Sequence, residues 1–158
     1  MHQDSLGNPV TLQHAASLAA VNDFVEGFIA SEARAIAPLA IADTEHGPIV
    51  QAYCAALHMF AESRDAAANA RLFIDRALAS PLIGTPREQR FVQAVSAWIA
   101  GDLPRAITLH EEQAREHPRD LASLKLGQYH LFNRGDSPAM LRMALAARPA
   151  AGDVPTKR

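Results

Sequence analysis

The sequence predicts an all-α protein, a right-handed array of antiparallel helix pairs forming an α-α superhelix of about seven to eight helices. Three observations carry this. Alanine is the commonest residue, with 32 copies in 158; it has the best helix propensity, and its short side chain lets helix axes approach closely. No long alternating run of Val, Ile, Thr and aromatics occurs, so strand signals are nearly absent. Two turns, Gly101-Asp102 and Gly135-Asp136, stand 34 residues apart, each following a helix that ends in an aromatic, Trp98 and Phe132. A period of that length built from two helices marks a unit that cannot bury its apolar face alone and therefore stacks.

Each element has a local reason. Residues 1–10 read as an N-terminal extension. Thr11 is placed to cap a helix running to about Ala30, striped by Leu12, Ala15, Ala16, Ala19, Phe24 and Phe28. A shorter helix from about Glu32 to Ala42 carries Pro38 inside it, which predicts a kink or break. Gly47-Pro48 starts the next, whose Tyr53, Ala56, Leu57 and Phe60 share one face. Asp65 is placed to cap its partner, which buries Phe73, Ala77 and Leu78 and stops at Pro81.

Thr85-Pro86-Arg87-Glu88 is the clearest local signal: a threonine cap, a proline at the first helical position and a glutamate at the third make a capping box. Phe91, Val95 and Trp98 then recur at helical spacing. The partner helix, from about Pro104 to Glu116, turns Ala106, Ile107 and Ala114 inward. Asp120 caps a helix striped by Leu121, Leu124, Leu131 and Phe132. A last helix, from about Pro138 to Arg148, carries Met140, Leu141 and Leu145. The units are thus about 11–46, 48–81, 85–118 and 120–148, followed by a flexible tail at 149–158.

The pattern resembles the tetratricopeptide repeat. Aligned on Pro81, Tyr53, Phe60 and Phe73 fall where that repeat wants large apolar residues; aligned on Pro118, Gly101 and Ala106 fit as well. The units are degenerate, and the two prolines stand 37 residues apart. The order of turns, from Thr85-Pro86-Arg87-Glu88 through Trp98, Gly101-Asp102, Ala106, Pro118-Arg119-Asp120, Leu121-Ala122 and Phe132 to Gly135-Asp136, is similar to the tetratricopeptide repeat protein 38 family. So is the opening Asp4-Ser5-Leu6-Gly7 followed by Thr11. Members of that family are much longer, so the resemblance implies its N-terminal portion, an all-helical repeat fold and no established reaction.

Composition excludes several classes. Hydrophobic residues make up 49%, too many for a disordered chain. The net charge of −2 divides unevenly, −5 over residues 1–79 and +3 over residues 80–158. Neither half forms the concentrated basic stripe of a nucleic-acid binder, whereas the two halves suit attraction between copies. A lone Cys54 leaves no disulfide framework and favours a reducing compartment. No secretory leader and no run of about 18 apolar residues appears, so the expectation is a cytoplasmic protein without a membrane partner.

Catalytic motifs are missing. The seven histidines, His2, His14, His46, His58, His110, His117 and His130, include no pair at i, i+4 and no H-E-x-x-H, so no metal is expected. The glycines are isolated turn residues, which leaves no phosphate loop and no expected cofactor. Neither Ser96 nor Cys54 has a base beside it, and no catalytic residue is assigned. Arg87, Arg90 and Arg119 cluster at helix starts, where capping and solvation explain them as well as a bound carboxylate does.

Geometry offers a better site. In such arrays the first helix of each pair lines a concave groove, which here falls on Gln51, Cys54, His58, Val92, Ser96, Ile99, Lys125, Tyr129 and Asn133. That polar-aromatic mixture suits an extended peptide or a helix, so the leading expectation is a scaffold that binds a protein or peptide. The alternative is a homodimer: Met140, Leu141, Met143 and Leu145 lie on a terminal helix with no polar capping helix after it. A third reading is an enzyme with a pocket between repeats.

Overall fold

A computed structural model describes residues 1–151 and is all-helical apart from one small hairpin. Residues 152–158 of the expected tail lie outside the described residues. The order is β1 (His2–Gln3), β2 (Pro9–Val10), a 3₁₀ turn (Ala15–Ser17), α1 (Leu18–Ala30) and a 3₁₀ segment (Ala33–Ala40). Six helices follow: α2 (Pro48–Phe60), α3 (Ala66–Leu78), α4 (Pro86–Ile99), α5 (Leu103–Glu116), α6 (Leu121–Arg134) and α7 (Ser137–Ala151). They pack as neighbours in pairs, α2 with α3, α4 with α5 and α6 with α7, and successive pairs stack.

The repeated turns have matching geometry. Gly101 and Gly135 sit at φ +79° and +74°, the left-handed region where glycine carries no Cβ penalty. Asp102 N–H reaches back to Ala97 O at 2.9 Å, and Asp136 N–H to Leu131 O at 3.0 Å, the six-to-one bond of a Schellman cap. Each aspartate then starts the following helix, accepting from Arg105 N at 3.2 Å and from Ala139 N at 3.1 Å. One Gly-Asp device thus closes one helix and opens the next, twice. The capping box at Thr85 and Glu88 is also present in both directions.

The N-terminal third departs from expectation. The segment at Thr11 does not cap α1, which begins at Leu18. Instead its backbone donors go to buried carboxylates: Thr11 N–H to Glu88 Oε1 at 2.8 Å, and Gln13 and His14 N–H to Glu45 at 2.8 and 3.0 Å. With those donors satisfied, the backbone has no need of helix there. The expected helix at Glu32 is a 3₁₀ segment around Pro38, because proline lacks an N–H and clashes with the carbonyl four residues back in an α-helix. It crosses α1 at Gly27, where a Cβ would lie 2.7 Å from Ala35 N. The hairpin pairs His2 with Val10 and turns on Asp4, whose carboxylate accepts from Leu6 and Asn8 N–H. Two-residue strands are too short to leave an alternation in the sequence.

Candidate binding cleft

Helices α2, α4 and α6 bring their apolar faces together: the Tyr53 and Phe91 rings meet edge-on at 5.3 Å, in one buried cluster with Ile49, Val95, Ala122 and Leu126. On this face lies α1. Phe24 stacks on Tyr53 at 3.9 Å, and Phe28 packs on Phe60 at 5.3 Å. From α6, Lys125 Nζ donates to Phe28 O at 2.6 Å, Ile29 O at 3.0 Å and Ser31 Oγ at 2.9 Å. A cation at the end of α1 adds hydrogen bonds to its last-turn carbonyls and complements the helix dipole. The chain's own first helix therefore fills much of the face expected to be an open groove.

The expected groove residues are accordingly dispersed. Gln51 is interior: its Nε2 donates to Ala42 O at 2.6 Å and Glu45 O at 2.7 Å, fixing the loop before α2. Cys54 and Ile99 are buried in the core, and Val92, also buried, backs a hollow between α3 and α4 instead. His58 faces the other way and stacks on Phe73 of α3 at 5.0 Å. Ser96 opens on a separate hollow of about 270 Å³ with Leu78, Gln93 and Arg105. Lys125 is committed to α1. Of that set, Tyr129 and Asn133 share a cleft. Repeat position identifies a first-helix face, but it cannot tell that another element covers it.

That cleft, about 220 Å³, lies between the end of α4, the start of α5 and the second half of α6, and is lined by Trp98, Leu103, Ile107, Tyr129, His130, Asn133 and Arg134. Trp98 meets Phe60 edge-on at 5.2 Å and His130 at 4.8 Å, and is tilted against Tyr129 at 5.9 Å. Tyr129 Oη donates to Glu62 Oε1 at 2.5 Å; burial and then this bond raise its phenol above the ordinary value. Arg134 is turned to Asp136 at 2.9 Å.

Behind the cleft sits a histidine pair that sequence reasoning missed. His130 is 2% exposed and His110 fully buried, with ring centroids 5.8 Å apart. His110 Nδ1 lies 2.7 Å from Ser123 Oγ, while Nε2 of both rings has no partner. Burial lowers His130 to about 4; burial and then His130 lower His110 to about 3. Both imidazoles are thus neutral at pH 7, suited to neutral hydrogen bonding and far from the pKa an acid-base catalyst needs. Their 20-residue separation hid them, since each only continues the apolar stripe of its own helix.

Other candidates resolve structurally. Arg87 is buried and paired with Asp120 at 3.0 Å, while its other amino group donates to Pro9 O at 3.0 Å; Arg90 pairs with Glu116 at 2.8 Å. On α7, Leu141 and Leu145 are 62% and 49% exposed, and on α6 Phe132 is 70% exposed. Met140 is half-buried and Met143 buried, because α6 and α7 approach closely at Gly127, where a Cβ would lie 2.8 Å from Met143 Sδ. A second apolar hollow of about 250 Å³ between α3 and α4 holds Leu78, Leu82, Val92 and the 85%-exposed Ile83. Among the described residues no cluster of three or more His, Cys, Asp or Glu is placed to hold a metal, and no helix is long and apolar enough to cross a membrane. No protein-family model matches the chain, and no solved structure matches it.

Proposed function

We propose that this chain is a helical-repeat scaffold of the tetratricopeptide kind that binds a protein or peptide through the cleft at Trp98, Tyr129 and His130. On this reading its helix pairs wind as a right-handed superhelix, and the turns it shares with the tetratricopeptide repeat protein 38 family make it the N-terminal portion of such a protein. The observation that carries the proposal is where α1 stops. Phe28, near its end, packs on Phe60, and the aromatic surface continues beyond it through Trp98 and Tyr129 to an open cleft. About 220 Å³ is below the ~300–1,000 Å³ of sites that enclose small ligands; it suits one anchoring side chain of a longer partner.

Panning a random peptide library against the protein tests this. Enriched peptides are expected to lose binding to Tyr129→Ala and to keep it with Ile83→Ala, in the hollow between α3 and α4. Enrichment that ignores Tyr129→Ala, or no enrichment, overturns the proposal.

A second reading rests on a different observation: Leu141 and Leu145, one turn apart on α7, are exposed. We propose a second copy of this chain as the occupant of this face, because it lies in the half that carries +3 while residues 1–79 carry −5. Sedimentation is expected to give a dimer at micromolar concentration and a monomer for Leu141→Glu combined with Leu145→Glu. A parent protein that sediments as a monomer removes this reading.

A further inference from the structure

The cleft beside Trp98 is backed by a buried imidazole nitrogen that the fold leaves unpaired. His130 lines it and is 2% exposed, yet its Nε2 has no partner; His110, packed behind it, repeats the deficiency. An unpaired buried nitrogen is costly to the fold, so an occupant that brings a hydroxyl to this ring recovers what the fold forgoes.

The other walls narrow the occupant further. Trp98 and Tyr129 present aromatic surfaces inclined at 60°, and Leu103 and Ile107 are aliphatic, which favours a flat ring packed edge-to-face. The volume of about 220 Å³ exceeds the ~150 Å³ of an apolar cavity that accepts benzene. Charge argues against an ion. Arg134 is paired with Asp136 and Tyr129 is bonded to Glu62 at the rim, while the burial of His130 keeps its imidazole neutral. A phenylalanine would fit but leave His130 unpaired; a lysine would find no carboxylate among the lining residues.

We infer that the cleft is a tyrosine pocket: it takes the phenol of a partner's tyrosine, whose hydroxyl hydrogen-bonds the His130 imidazole while the ring packs against Trp98 and Tyr129. This rests on the reading of the cleft as the partner-binding site.

Trp98 is the single tryptophan, so its indole N–H resonance in a proton–nitrogen correlation spectrum reports on the cleft directly. Titration with p-cresol is expected to shift that resonance saturably, with affinity about tenfold above that of toluene, the worth of one buried hydrogen bond. His130→Phe abolishes the difference and His130→Gln restores part of it. In the unmodified protein, p-cresol but not toluene shifts the His130 ring-nitrogen resonances, a readout independent of whether the variants fold. Peptides from the panning should carry tyrosine and lose about tenfold on Tyr→Phe.

Equal binding of p-cresol and toluene overturns the tyrosine assignment while leaving the cleft as a binding site. Binding of neither overturns the cleft as well. A p-cresol preference that survives His130→Phe overturns the role given to His130. A cleft that takes free p-cresol while the panned peptides bind equally well with phenylalanine overturns the partner tyrosine.

Discussion

Glu88 and Thr11, 77 residues apart, are joined by two hydrogen bonds of 2.8 Å: the Thr11 backbone N–H donates to Oε1, and its hydroxyl to Oε2. The same carboxylate accepts from Thr85 N–H at 2.7 Å, closing the capping box of α4. One buried side chain therefore begins a helix and fastens the N-terminal segment across it.

The double role sets the size of the first prediction. A capping-box residue alone is worth about 1 kcal/mol, but Glu88 is fully buried and holds three charge-assisted bonds. Glu88→Ala is expected to lose about 3 kcal/mol in denaturant unfolding, and Thr11→Val about 1 kcal/mol. The double variant should show a coupling above about 0.5 kcal/mol; strict additivity would contradict the link.

Acid sensitivity follows from His110 and His130. In the unfolded chain both titrate near 6.5, whereas in the fold burial holds them at about 3 and about 4. The unfolded chain therefore binds the extra protons, so stability declines as pH falls below about 6.5 and the loss saturates near 3. His130 alone is expected to remove roughly 3 kcal/mol by pH 4. Unfolding curves of His130→Phe should flatten by that amount over the window, and a variant as acid-sensitive as the parent refutes the assignment.

Cys54 is fully buried in α2. Burial, opposed by Arg76, pushes its thiol up to about 12, so almost no thiolate exists near neutrality. Iodoacetamide at pH 8 is expected to modify the folded protein at least about a hundredfold more slowly than the denatured one. Comparable rates measured by mass would show that α2 is not closed over this side chain.

Lys125 supplies the fourth prediction. Its three bonds to the end of α1 and its ammonium 5.2 Å above the Phe28 ring lock α1 onto α6. Lys125→Met is expected to cost about 1–2 kcal/mol and to speed hydrogen exchange in the last turn of α1, with the turns at Gly101 and Gly135 unchanged. Unaltered exchange in α1 would mean that its apolar contacts alone hold it.

What the sequence by itself determined is the part of the fold governed by short-range rules. The capping box at Thr85, the cap at Asp120, the Gly-Asp turns and the limits of α2 to α6 all depend on residues within a turn or so of one another. For them, φ preference and i to i+4 hydrogen bonding suffice. The same rules identified Tyr53 and Phe91 as inward-facing and set Trp98 against the neighbouring helices.

Tertiary structure alone decided which element covers which face. Hydrophobic periodicity says that a helix has an apolar side, but not whether α1, a neighbour or a partner lies against it; Gln51, Val92 and Ile99 are interior for that reason. Nor does it reveal pairings such as Thr11 with Glu88, Lys125 with Phe28 or His110 with His130. Those partners meet only when distant helices pack, and buried polar atoms take whatever acceptor the packing brings within reach. The cleft at Trp98 exists on the same terms: its walls come from three helices, α4, α5 and α6.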